Sequence, residues 1–108
     1  MTQFIQVITT IDKKETAKKI AENLLKKKLV SCVQIAGPVT SAFWWHGEID
    51  TDEEYLCICK SREDLFNQVE EAIKEIHTYD VPEILAIPVS TGNIEYLNWM
   101  SEELKNKQ

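Results

Sequence analysis

The 108-residue sequence has few residues that break or cross-link a chain: three glycines, three prolines and three cysteines. No internal repeat, low-complexity tract or Gly/Ser-rich linker divides it. A chain of this length suits one compact domain and is too short for two. We therefore interpret residues 1–108 as a single domain.

Long apolar runs are also missing. The first residues, MTQFIQVITTID, lack the basic start and the continuous apolar run of a signal peptide. No apolar stretch approaches the roughly 20 residues that cross a bilayer. These absences predict a soluble, cytoplasmic protein with no membrane partner.

The three cysteines are an odd number, which does not suit a disulfide framework. On a strand, Cys57 and Cys59 would share one face with their Cα atoms about 6.5–7 Å apart, at the limit for a disulfide. Such a pair could offer two soft ligands to Cu(I). We favour the interpretation that these two and Cys32 are buried, reduced thiols, which fits a reducing cytoplasm.

Positive charge is scarce, and the formal net charge is −6. Sequence-independent nucleic-acid binding needs clustered cations, so no nucleic-acid partner is expected. Arg62 is the only arginine, and the segment TTIDKKE after the first predicted strand holds neither Arg nor Gly to cradle a phosphate. No nucleophile–base pair stands out, and we predict that the protein is not an enzyme.

The first half of the sequence predicts strand, helix and hairpin in that order. Phe4 to Thr9 reads as a strand, and Asp12 with Glu15 predicts a capped helix start. A second strand is expected over Leu29 to Ile35, and Gly37-Pro38 interrupts it and marks a bulge or bend. Two long arms over Val39 to Lys60 then meet at the X-Gly turn His46-Gly47.

The second half repeats the pattern. Ser61 with Asp64 predicts another capped helix, and Pro82 ends any helical continuation before the strand EILAIPV. Asn93 can cap a last helix. The order predicts an α+β fold, a ferredoxin-like βαββαβ sandwich with an extended hairpin and a C-terminal helix.

Both faces of the predicted sheet are apolar, since Phe4 and Ile8 alternate with Ile5 and Val7. Two helices can cover only one face. The C-terminal helix of the same chain could cover the other, but we favour a neighbouring subunit. The candidate interface residues are aromatic: Phe43, Trp44, Trp45 and Trp99.

The stretch HTYDVPEI, residues 77–84, contains the candidate site residues. His77 is either a hydrogen-bonded corner residue or a metal ligand. Tyr79 would pack on the helix end with its hydroxyl bonded to backbone, and Glu83 would pair with Lys60. Alternatively, these four residues line one pocket between subunits that takes a small ligand or ion.

Several motifs in order resemble the CutA family of divalent-cation-tolerance proteins over nearly the full length. They are LVSCVQI, WHGEI, KSR from Lys60, the H-x-Y-x-V-P-E-I pattern from His77, and GNIEYLNWM from Gly92. The resemblance implies a homotrimer whose hairpin arms extend the sheets across subunits, similar in architecture to the nitrogen-regulatory PII proteins. It also implies a role in tolerance or homeostasis of divalent metal ions such as copper.

The resemblance to the family is incomplete at the residues proposed to bind copper. The ligands proposed for some bacterial members are a Cys late in the first strand and two adjacent His before the Tyr. Here Ile8 stands at the first position, Ile76 precedes His77, and Thr78 replaces the usual Pro. We predict weak metal binding at a cleft between subunits, with His77 as the ligand; the alternative is a PII-like small-molecule sensor or signalling scaffold with no direct metal role.

Overall fold

The computed structural model describes residues 3–106. The elements follow in the order β1 (Phe4–Ile11), α1 (Lys14–Lys26), β2 (Cys32–Trp45), β3 (Glu48–Arg62), a 3₁₀ turn (Glu63–Leu65), α2 (Phe66–Ile76), β4 (Ile84–Pro88) and α3 (Ile94–Glu103). The four strands form one antiparallel sheet in the order β2-β3-β1-β4. The predicted ferredoxin-like α+β fold with a C-terminal helix is confirmed.

The core lies between one face of the sheet and the helices α1 and α2. Alternate residues of β1 face the helices, and Ile5, Val7 and Ile11 are buried there. Each helix contributes one apolar stripe at helical spacing, made of Ala17, Ile20 and Leu24 in α1 and of Val69, Ala72 and Ile73 in α2. This inner face of the sheet is therefore well covered.

Two predicted helix caps are wrong. Lys13, not Asp12, occupies the N-cap of α1, and no side chain caps it. Ser61 donates its hydroxyl hydrogen bond to the carbonyl of Leu29 at 2.7 Å, and Asp64 pairs with Arg62. The sheet extends through Ile11 and Arg62, so its pairing determines where each helix begins. The predicted cap at Asn93 is confirmed: Oδ1 accepts from the N–H groups of Glu95 and Tyr96 at 2.9 and 3.2 Å.

Strand β2 differs from the prediction, because it begins at Cys32 and continues past Gly37-Pro38 to Trp45. The pairing with β3 shifts between Ala36 and Val39, which confirms the β-bulge predicted at Gly37-Pro38. Gly37 has φ +149°, and a Cβ there would lie 2.8 Å from Cδ2 of Tyr55 and 2.9 Å from the carbonyl oxygen of Glu54. The bulge therefore requires glycine.

The predicted hairpin is confirmed in register. His46 and Gly47 both have positive φ at the tip, and Trp45 pairs with Glu48, Trp44 with Ile49 and Phe43 with Asp50. The long arms help to extend the molecule to 44 Å along its longest axis. The arms place three aromatic residues beyond the reach of the helices.

The outer face of the sheet, opposite α1 and α2, is only partly covered within one chain. Leu85 and Ile87 of β4 are 57% and 48% exposed. Helix α3 is anchored elsewhere: Leu104 enters the core, and the N–H of Lys105 donates to the carbonyl of Lys28 at 2.8 Å. Helix α3 thus leaves these two residues open. Within residues 3–106, no helix combines the length and apolar character needed to span a bilayer.

Candidate functional site

A cleft of about 900 Å³ lies between the hairpin arm and the segment 79–83 that leads from α2 to β4. This volume is within the range of small-molecule sites. Its lining comes from β1, both arms and the α2–β4 segment: Thr10, Ser41, Ala42, Phe43, Trp44, Trp45, Asp50, Asp52, Glu54, Tyr79, Asp80, Val81 and Glu83. Of the four predicted pocket residues, Tyr79 and Glu83 line it.

His77 connects the end of α2 to β1. Its backbone N–H donates to the carbonyl of Ile73 at 2.9 Å, and the chain then turns into extended conformation. Nε2 lies 2.7 Å from the carbonyl oxygen of Thr10, and Nδ1 accepts from the N–H of Tyr79 at 3.2 Å. A carbonyl can only accept and an amide N–H can only donate, so the ring is the neutral tautomer with its proton on Nε2. Both ring nitrogens are occupied, and metal ligation by His77 stays a prediction.

Tyr79 forms the floor of the cleft with Glu54. The phenol donates to Oε2 of Glu54 at 2.7 Å, a carboxylate partner where the sequence suggested a backbone one. Burial, followed by the hydrogen bond and charge of Glu54, raises the pKa of Tyr79 well above its usual range. The phenol therefore remains a hydrogen-bond donor at physiological pH.

Lys60 and Glu83 do not meet within the described chain. Lys60 pairs with Gln6 of β1. Ile84 pairs with Thr9, so Glu83, the residue before Ile84, lies level with Thr10, four residues further along β1. Four residues of strand correspond to about 13 Å. Among residues 3–106, the ammonium of Lys60 bonds to Oε1 of Gln34 at 3.1 Å and forms no ion pair with Glu83. The predicted Lys60–Glu83 pair is absent within the single subunit.

The predicted aromatic interface residues separate into two groups. Phe43, Trp44 and Trp45 border the cleft, where the two tryptophans are 73% and 60% exposed. Trp99 lies on α3, where it stacks at a tilt on Tyr96 with ring centroids 5.5 Å apart. Both groups present apolar surface to solvent, but only the first belongs to the cleft.

The acidic residues that β3 contributes to the cleft were missed by sequence reasoning. Asp50, Asp52 and Glu54 alternate along β3, and this period of two places them on one face of the arm. With Asp80 and Glu83 they give the cleft five carboxylates, and no Lys, Arg or His is among the described lining residues. The D-x-D-x-E pattern in the sequence was the signal for this cluster.

The cysteines lie apart from the cleft. Cys57 and Cys59 are fully buried on the inner face, which confirms their interpretation as small core residues. Burial raises the pKa of Cys57 to about 11 and that of Cys59 to about 12, the latter with smaller contributions from Cys57 and Cys32. Cys32 is only half-buried, on the outer face, so the predicted burial is wrong for this residue. Neutral, enclosed thiols are poor metal ligands.

Residues 3–106 of one chain do not form a copper site. In the part of the chain that the structure describes, no three His, Cys, Asp or Glu residues are grouped so as to hold a metal ion. The imidazole of His77 is engaged at both nitrogens, and the two buried thiols are on the other side of the sheet from the cleft. The residues present in one subunit therefore do not fit copper.

Comparison with known proteins identifies close relatives. The family model described as CutA1 divalent ion tolerance protein matches residues 5–103. The divalent-cation tolerance protein CutA of Pyrococcus horikoshii is 43% identical over 101 residues, which are 94% of this chain and 98% of that protein. Protein CutA 1, chloroplastic, of Oryza sativa is 40% identical over 94% of this chain; the chain spans 57% of that relative.

Solved structures agree with these matches. CutA1 from Oryza sativa superposes with a TM-score of 0.93 at 38% identity, covering 96% of this chain and 95% of that chain. The divalent cation tolerance protein from Thermus thermophilus gives 0.90 at 37% identity, covering 97% and 100%. A relative from Archaeoglobus fulgidus, with a TM-score of 0.89, 40% identity and coverage of 97% and 100%, is described as periplasmic. The relatives thus include chloroplastic and periplasmic proteins, and the predicted cytoplasmic location stays a prediction.

Proposed function

The chain belongs to the CutA1 divalent ion tolerance family, and from that premise we propose that it acts in tolerance of divalent metal ions as a non-enzymatic homotrimer. The observation that carries the proposal is the family match over residues 5–103. The relatives' names describe tolerance proteins and no catalysed reaction. We also propose that residues 1–108 form one domain, because strands from both halves share one sheet.

The proposed assembly is supported by the outer face of the sheet. Leu85 and Ile87 on that face, and Trp44 and Trp45 on the arm, are among the most exposed apolar side chains in the described chain. Apolar surface of this kind is typical of a subunit interface. Trp99, on α3, is a further exposed aromatic side chain. The number three rests on the resemblance to the family.

A neighbouring subunit would also complete the predicted pocket. Lys60 projects from the outer face, about 13 Å along the sheet from Glu83. Contact between outer faces brings the lysine of one subunit towards the cleft of another. We therefore propose that Lys60, Tyr79 and Glu83 line a cleft between subunits, with His77 behind Tyr79.

Metal binding in this proposal is weak and takes place at the same cleft. His77 can act as a ligand only if Nδ1 releases the N–H of Tyr79, the longer of its two ring hydrogen bonds. One imidazole gives low affinity, since strong transition-metal sites use three or four ligands. Copper is the ion that the family resemblance favours.

Calorimetric titration of the purified protein with Cu(II), Zn(II) and Cu(I) tests the metal role. We expect binding tighter than about millimolar that His77→Ala abolishes. His46→Ala is the matched control, because His46 lies at the hairpin tip, on a different element from the corner that holds His77. Absence of binding, or equal loss in both variants, contradicts a metal role for His77.

The second candidate is a PII-like small-molecule sensor or signalling scaffold without a direct metal role. The size of the cleft favours it. A thermal-shift screen with nucleotides and small acids separates it from metal binding. We propose no nucleic-acid or membrane partner, in line with the net charge of −6, and a reducing cytoplasm, in line with three free cysteines.

A further inference from the structure

Helix α3 buries little of its surface against the rest of the subunit. Within Ile94–Glu103, all of which the structure describes, Met100 is the only buried residue, whereas α1 and α2 each bury three. The side chains of Ile94, Tyr96 and Trp99 are 68%, 41% and 42% exposed. An element with few buried apolar contacts opens locally more readily than the rest of a fold.

The helix is fastened just after its C-terminal end. Leu104 enters the core. The N–H of Lys105 donates to the carbonyl of Lys28 at 2.8 Å, and its own carbonyl accepts from Nη2 of Arg62 at 2.8 Å. Nζ of Lys105 donates to Oε1 of Gln68 at 3.0 Å. These contacts of Lys105 form a clasp that joins α3 to the ends of α1 and β3 and to α2.

Arg62 is one fixed half of the clasp. Its side chain is almost buried, and Nε and Nη2 donate to the two oxygens of Asp64 at 2.5 and 3.2 Å. The carboxylate orients the guanidinium, whose planar fork can hold a carboxylate and a carbonyl at the same time. The only arginine of the sequence is thus placed to hold the carbonyl of Lys105.

Lys28 is the other fixed half. The N–H of Leu29 donates to the carbonyl of Leu24 at 3.1 Å, and the N–H of Lys28 donates to that of Leu25 at 3.0 Å. This pair of bonds is a Schellman motif, and it holds Lys28 at φ +57°, which is uncommon for a residue other than glycine. The motif fixes the direction of the Lys28 carbonyl, which accepts from Lys105.

We propose that α3 is a strap that opens on its own: residues 90–105 detach while the sheet, α1 and α2 stay folded, and the clasp controls how often this happens. The N–H of Val89 bonds to the carbonyl of Phe4 at 3.0 Å, so the link 90–93 that follows it is the hinge. An isolated helix of ten residues is marginal in water, so the released strap loses its helical structure. Release also carries Trp99 away from the body, and only this consequence, for the proposed interface, rests on the proposed function.

Hydrogen exchange measured by mass spectrometry on the full chain tests the strap, because it follows the opening of each element separately. In the unmodified protein we expect the amides of α3 to exchange at least about tenfold faster than those of β1. Low concentrations of urea should accelerate exchange in β1 but hardly in α3, because release of one helix exposes far less surface than global unfolding does. Equal urea dependence in the two elements means that α3 opens only when the whole subunit unfolds, which overturns the proposal.

Arg62→Lys tests the clasp. Lysine keeps the charge, but a single ammonium cannot hold the carboxylate of Asp64 and the carbonyl of Lys105 as the fork does, so exchange in α3 should rise about tenfold. Lys27→Met is the matched control: it breaks the ion pair of Lys27 with Glu75, near the same end of α1 but outside the clasp, and should change exchange in α3 less than about twofold. Equal effects of the two substitutions overturn the role of the clasp.

Gln68→Leu is a milder test of the same clasp, because it removes only the acceptor for Nζ of Lys105. We expect exchange in α3 to rise about threefold, and an unchanged rate contradicts the clasp even if Arg62→Lys does not fold. Sedimentation of the same samples tests the proposed trimer separately. Single subunits with the expected exchange pattern refute the trimer alone, whereas a trimer in which α3 and β1 exchange alike refutes only this inference.

Discussion

At the scale of single residues, the corner HTYDVPEI functions first as a lock between elements. His77 ties the end of α2 to β1 through Thr10, and Tyr79 ties the following segment to β3 through Glu54. The two rings also meet edge to face with centroids 4.7 Å apart. This geometry holds the floor of the cleft in place.

The bond between Tyr79 and Glu54 is therefore expected to contribute to stability. Tyr79→Phe leaves Glu54 buried without its donor, which should lower the free energy of unfolding by about 1–3 kcal/mol. Urea denaturation followed by circular dichroism measures this. Tyr96→Phe is the control, because no hydrogen bond to the Tyr96 hydroxyl is seen among the described residues. Equal effects of the two substitutions would show that the bond to Glu54 does not stabilise the fold.

The buried thiols predict a loss of stability at alkaline pH. Their pKa is raised from 9.0 to about 11 for Cys57 and about 12 for Cys59, so the unfolded chain releases these protons first. The stability that they contribute is complete below pH 9 and is lost as pH rises through 11 and 12. Cys57→Ala should flatten the decline in unfolding free energy between pH 9 and 11. Cys32→Ser removes only a smaller contribution to the pKa of Cys59, so it should change the decline less than Cys57→Ala does. An equal slope in all three proteins contradicts the assignment.

At the scale of elements, local patterns in the sequence predict more than distant contacts do. The hairpin register followed from His46-Gly47, and the helices followed from apolar periodicity, because both signals lie within a few residues. The predicted caps at Asp12 and Ser61 failed because sheet pairing extends through Ile11 and Arg62. Glu54 was missed as a site residue because its partner, Tyr79, is 25 residues away.

The bulge in β2 gives a second element-scale test. Gly37→Ala places a Cβ against Tyr55 and the backbone of Glu54 at positive φ, so we expect a loss of about 1–3 kcal/mol in unfolding free energy. Gly92→Ala is the matched control, since its Cβ would meet Leu97 at an ordinary 3.5 Å. Thermal and urea unfolding should therefore show a lower stability for Gly37→Ala than for Gly92→Ala. A tolerated Gly37→Ala means that the bulge can relax.

At the scale of the whole molecule, the sheet has one covered face and one that needs a partner. The sequence predicted this asymmetry from two apolar faces and two covering helices. Within the single chain, α3 attaches near Lys28 and leaves the β4 side of the outer face open. The number and arrangement of subunits depend on contacts between chains, which no periodicity within one chain encodes.

A charge on the outer face should therefore disrupt assembly without unfolding the subunit. Leu85→Lys is expected to shift sedimentation from the trimer towards single subunits, because a buried ammonium without a partner is costly. Leu25→Lys is the control: Leu25 is comparably exposed, 43% against 57%, but lies on α1 at the opposite side of the sheet. If both variants sediment like the unmodified protein, the outer face is not the interface.

The alternation along β3 has a consequence for how related chains can diverge. Residues 48–53 of the arm form no part of the buried core of their own subunit, so an insertion or deletion there leaves that core intact. Inserting one residue into a strand moves the side chains beyond the insertion to the opposite face. A one-residue insertion next to Glu54 would therefore place Asp50 and Asp52 on the face of the arm that points away from the cleft. Only even-numbered length changes preserve the acidic wall, and an odd one would be expected to abolish it in one step while the subunit still folds.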